Sequence, residues 1–244
     1  MDKPPLVLND IANFLQTEFK TDRYPISERG GIYKPADRPI RRVGLSLEPW
    51  PKIGEWVRAQ DLDALWLHRP WQLNTAVLPP DVGVLTHHLP FDECLTTGYN
   101  TRLAQVLGLE SLAELGYKQA ADESGRLLPK RAIGMIGDVP ERSTESWLEQ
   151  IQVAFGGYDR VEAGQVRSHR RVAVVGAMNP ELVHEAHERS VSLYLTGEYR
   201  KGTQKVVDET GMTVIAIGHK RTEEWGLRAL GTLLTGRWEG LEVL

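Results

Sequence analysis

The stretch VAVVGAMNPELVHEAHERSVSLYLTGEYRKGTQKVVDETGMTVIAIGHKRTEEWGLRAL, residues 172–230, decides the fold class. In it the short apolar runs AVV (173–175), SLYL (192–195) and TVIAI (213–217) alternate with amphipathic segments at 180–188, 201–209 and 224–234. A continuous apolar run suits a strand covered by helices on both faces. Strand and helix in regular alternation predict an α/β protein with a largely parallel or mixed sheet. Working back toward residue 1, further strands are expected at Val43–Leu47, Leu62–Leu67, Val82–Thr86 and Ala132–Ile136. Helices are expected at Leu6–Phe19, Ile53–Ala59, Thr101–Leu107 and Thr144–Phe155. Gly108 and Gly156-Gly157 stand where helices commonly end. Residues 21–42 carry three prolines and two glycines, so they read as a loop with at most a short strand at Gly31–Tyr33.

The chain has 244 residues, enough for one large α/β domain or two intertwined smaller ones. A formal net charge of −4 supplies no overall pull toward nucleic acid or anionic lipid. The single cysteine, Cys94, excludes an internal disulfide and a cysteine-rich zinc site, which fits a reducing compartment. No apolar run approaches the roughly 20 residues needed to cross a bilayer. A soluble cytoplasmic protein is expected.

Four predicted strands end in a polar residue suited to chemistry. ALWLHRP reaches His68 and Arg69, VGVLTHH reaches His87 and His88, SLYLTGE reaches Glu198, and VIAIGH reaches His219. Ligands in open α/β sheets bind beyond the carboxyl ends of the strands. His88 is followed four residues later by Asp92, and His219 by Glu223; if residues 219–223 turn into the following helix, one helical turn brings that pair to one side. Imidazole with carboxylate suits zinc, manganese or iron. Each residue also has an ordinary alternative. His68 can be a core histidine bonded to a carbonyl, and successive histidines at 87 and 88 face opposite ways if extended, so at most one need act. Asp92 can be a turn residue after Pro90-Phe91, Glu198 can merely start a helix at Tyr199, and Glu223 can be a first-turn acid behind an N-capping Thr222. Their joint placement at strand ends is what favours a site. The basic clusters around residues 38–42, 167–171 and 200–205 read as solvated surface.

The blocks TGE (196–198) and IGHKRTEEWGLRAL (217–230) resemble the Thr-Gly-Glu and Gly-His-x-x-Ser/Thr-Glu signatures of the Nif-three-like family, the GTP cyclohydrolase type-two homologues. HHLPFDECLTTGYNTRLAQVLGL (87–109) is similar to that family's His-x-x-x-Asp block, and LHRPW (67–71) lies where it has His-His-Pro. The resemblance implies two intertwined α/β domains with mixed sheets, in approximate halves 1–125 and 126–244 with a metal site between them. It also implies a toroidal homohexamer. Matched position by position, it implies metal ligands at His68, Asp92, His219 and Glu223, with His88 and Glu198 nearby. Arg69 replaces the family's second histidine, and a guanidinium cannot ligate a metal. One divalent transition ion per subunit is therefore expected rather than two, with Arg69, His88 and Glu198 facing substrate. The function expected is that of a metal-binding, hydrolase-like protein acting on a phosphate-containing or nucleotide-like molecule. The alternatives are a non-catalytic ring with a partly lost metal centre, or a binder of single-stranded nucleic acid, against which the net charge argues.

Overall fold

A computed structural model describes residues 4–244. Helix α1 (Leu8–Glu18), strands β1 (Gly31–Lys34) and β2 (Arg42–Ser46), helix α2 (Ile53–Ala59), strands β3 (Ala64–Leu67) and β4 (Gly83–Thr86) and helix α3 (Leu89–Leu95) come first. Next are α4 (Thr101–Leu107), β5 (Glu110–Lys118), β6 (Arg131–Ser143), α5 (Thr144–Phe155), β7 (Arg160–Glu162) and β8 (Ser168–Val175). Then follow α6 (Pro180–Glu188), β9 (Leu193–Thr196), α7 (Gln204–Thr210), β10 (Thr213–Ala216), α8 (His219–Arg237) and β11 (Glu242–Val243).

These elements form two compact units whose segments alternate along the chain: residues 4–91, 120–128 and 227–244 in the first, 92–119 and 129–226 in the second. The first unit holds a five-stranded sheet in the order β1-β4-β3-β2-β11. All its pairings are parallel except β1 with β4. Its strand β3, ALWL, is wholly buried, as its unbroken apolar run requires. Its Leu65 packs with Ile53, Val57, Leu62, Leu78 and Val84 in one core cluster.

The second unit holds a six-stranded sheet, β5-β6-β8-β9-β10-β7, in which only β8, β9 and β10 run parallel. Its core joins Ile136, Val175, Val183, Tyr194, Val206 and Val214. Both sheets are mixed. Gly108 and Gly156 close α4 and α5 at φ +72° and +77°, a conformation glycine enters without steric cost. No helix among the described residues is long and apolar enough to cross a membrane.

Two elements differ from the sequence expectation in ways that matter for the site. Residues 89–95 form a helix, so Asp92 is not a turn residue. Helix α8 begins at His219 rather than at Glu224, so Thr222 is not its cap. The Thr222 hydroxyl lies inside the first turn and donates to the His219 carbonyl at 2.7 Å.

Candidate metal centre

Parallel strands β3 and β4 lie side by side and deliver their next residues to one end of the sheet. The ladder with β2 continues past β3, because His68 N–H donates to the Ser46 carbonyl and Arg69 N–H to the Leu47 carbonyl, at 3.1 and 2.8 Å. That extension holds His68 in a fixed, fully buried position. Its ring lies near-parallel to Trp66 and touches Phe91, with centroids 6.2 and 4.8 Å away.

His87 and His88 take different roles. His87 is buried, and its Nδ1 accepts the Trp66 indole N–H at 3.2 Å. Burial lowers its pKa to about 3, so it stays neutral and structural. His88 turns the other way, its ring 4.8 Å from that of His68. The first turn of α3 then returns Asp92 to the same place. His68, His88 and Asp92 offer ligand atoms that all lie within 4.8 Å of one another.

This donor set fits a divalent transition ion. Two neutral imidazoles and a carboxylate are common ligands of zinc and iron at bond lengths of roughly 2.0–2.2 Å. His68 Nδ1 lies 3.2 Å from the His87 carbonyl oxygen. That contact keeps the ring proton on Nδ1 and presents Nε2 as the lone-pair atom, the arrangement typical of a metal-binding histidine. The core-histidine contact expected for His68 is thus present, and it orients the ligand instead of excluding one.

The second expected pair also forms. Gly218, at φ +110°, turns the chain sharply out of β10 so that His219 opens α8. His219 Nε2 reaches Glu223 Oε1 at 3.0 Å across one helical turn. The Glu223 carboxylate is buried while His219 stays largely exposed.

The remaining candidates are placed as follows. Arg69 Nε donates to Glu48 Oε1 at 2.8 Å. Glu198 is exposed and pairs with Arg200 at 3.5 Å. A turn at Lys201–Thr203 separates Glu198 from α7, so it does not start that helix. The residue that sequence reasoning undervalued is His88. It is expected beside the ligands, whereas its ring offers a candidate ligand atom together with His68 and Asp92; its four-residue spacing to Asp92 is the available signal.

A protein of Neisseria meningitidis serogroup B named GTP cyclohydrolase 1 type 2 homolog is 32% identical over 155 residues, 64% of this chain. That match spans only 57% of the relative's length. A Pyrococcus abyssi protein of the same name is 24% identical over 240 residues, 92% of each chain. Among solved structures, protein ybgI superposes with a TM-score of 0.72 at 17% identity, covering 98% of this chain and 97% of its own. HcgD from Methanocaldococcus jannaschii gives 0.71 at 20% identity, covering 99% and 98%. These two likenesses establish the fold. The sequence pattern of the Duf34/NIF3 (NGG1p interacting factor 3) family matches residues 72–244, a span that includes His88, Asp92, His219 and Glu223, and the chain belongs to that family.

Proposed function

We propose that the chain is a metal-dependent, hydrolase-like protein acting on a phosphate-containing or nucleotide-like small molecule. The observation that carries this reading is the convergence of His68, His88 and Asp92 within ligand distance of one another. We take His68 and Asp92 as ligands, add His88 on its position, and keep His219 and Glu223 as the pair that completes the coordination. One ion per subunit fits the arginine at position 69 better than two, because a fixed cation repels a second dication. The bound ion would supply a water acidified enough to act as nucleophile near neutral pH.

The protein's own residues do the rest. His68 is held by the sheet and the His87 carbonyl, so its Nε2 needs little reorganisation to bind. The buried Glu223 carboxylate, 3.0 Å from His219 Nε2, holds the exposed His219 ring in place. Arg69 offers a fork matched to phosphate once Glu48 yields it. The name shared by the curated relatives supports a nucleotide-like substrate. A cytoplasmic homohexamer completes the proposal.

Metal analysis of protein purified without a histidine tag tests it. About one equivalent of zinc, iron or manganese per chain is expected, falling sharply in His68→Ala and His88→Ala. Folded protein with no metal at any stoichiometry would sink the reading. A second reading, a non-catalytic ring with a reduced metal centre, is favoured by the Arg69–Glu48 ion pair. It predicts unchanged assembly and ligand binding after chelation, measured by light scattering and calorimetry.

A further inference from the structure

Trp71 follows His68 by three residues and is 66% exposed, the most exposed of the protein's large aromatic side chains among the described residues. Its backbone is nevertheless anchored. Pro70 before it is buried, Leu73 after it is 9% exposed, and Leu73 N–H donates to the Pro70 carbonyl at 2.8 Å. A turn anchored at both ends therefore carries the exposed indole. Its ring centroid is 5.1 Å from that of His88, with the two planes crossed at 75°. A T-shaped contact leaves indole surface available for parallel stacking. Trp66, by contrast, is buried and spends its N–H on His87.

An indole displayed against a candidate ligand histidine is a surface for a flat ring. We propose that Trp71 is the stacking platform of this site. It would bind the heteroaromatic base of a nucleotide-like substrate and so select such molecules over sugar phosphates that lack a ring. The inference rests on the reading of the neighbouring histidines as a substrate site. Base–aromatic stacking contributes about 1–3 kcal/mol per base, equivalent to roughly five- to hundredfold in affinity.

The test uses the full chain and two probes, GMP and ribose 5-phosphate, titrated calorimetrically, with metal content measured on the same samples. Trp71 is exposed, so its replacement leaves the core intact. Trp71→Ala is expected to weaken GMP at least about tenfold and leave ribose 5-phosphate within about twofold, while Trp71→Phe stays within about threefold for both. Equal affinity of wild type and Trp71→Ala for GMP overturns the inference. So does a parallel loss of both probes, or no GMP binding by the wild type. If the GMP discrimination appears in metal-free protein, Trp71 keeps its role and the metal reading fails. If metal is present but Trp71→Ala is silent, the reverse holds.

Discussion

The placement of Asp92 depends on a buried ion pair one residue further along α3. Glu93 accepts from Arg131 Nε at 2.8 Å and from its Nη2 at 3.4 Å. Both side chains are under a tenth exposed, while Lys118, 4.0 Å from the same carboxylate, is half exposed. Glu93→Leu removes the anion and leaves a guanidinium buried at the start of β6. Removing one partner of such a buried pair costs about 3–5 kcal/mol. Lys118 has little to lose, since an exposed pair contributes at most about 1 kcal/mol. At a urea m-value of about 3 kcal/mol/M, the expected shift in unfolding midpoint is about 1–2 M downward. The double variant Glu93→Leu/Arg131→Met removes both charges and should recover most of that loss, because an apolar pair of similar volume is commonly as stable as the ion pair. Circular dichroism through a urea series reads all three proteins, and zinc titration of the folded variants reads Asp92. The reasoning fails if Glu93→Leu shifts the midpoint by less than about 0.3 M, or if the double variant is as unstable as the single one.

His169 is buried with both ring nitrogens on hydroxyls, Thr144 Oγ1 and Ser192 Oγ, each at 2.9 Å, and burial lowers its pKa despite nearby Glu145. Its unfolded form therefore binds a proton before its folded form does. Stability should be fully present above about pH 6.5 and fall below it, and urea midpoints should show a shallower fall in His169→Gln. Gly218→Ala forces a side chain into φ +110° and against Asp159 and Arg221. It should cost about 1–3 kcal/mol in thermal unfolding and weaken whatever His219 binds. Tyr194 donates its buried hydroxyl to the Ala177 carbonyl at 2.7 Å, so Tyr194→Phe should lower stability by about 1–2 kcal/mol, read from the same melts.

Much of this was legible because the responsible forces are local. The apolar runs of β3, β9 and β10 announced buried strands, and Gly108 and Gly156 announced helix ends. The i to i+4 spacing of His219 and Glu223 needed only a helix to become a contact. What escaped was set by partners distant in sequence. Residues 110–118, ESLAELGYK, carry leucines at near-helical spacing, yet they form β5 because β6 supplies a ladder along their length. Strand β6 runs on through Pro140, which sits within a register shift against β8 where no ladder bond is required. Helix α3 is only seven residues long, too short for a periodicity to declare itself, so a turn stays open for Asp92 beside its reading as a ligand. His88 was seen, but its partnership with His68 joins two strands and lies beyond any spacing rule.

The interleaved segments of the two units also bear on how the protein emerges from the ribosome. The strands of the second sheet all lie between residues 110 and 216, so every one of them is synthesised before β11. The first sheet begins earlier yet finishes later. The flank of β2 that β11 covers stays open until residues 242–243 appear and Leu45 N–H can bond the Leu244 carbonyl. An unfilled parallel edge invites pairing with a neighbouring nascent chain. Chaperone dependence and aggregation during synthesis should therefore concentrate on that late-closing edge, and a ribosome stalled just short of residue 242 would display it most fully.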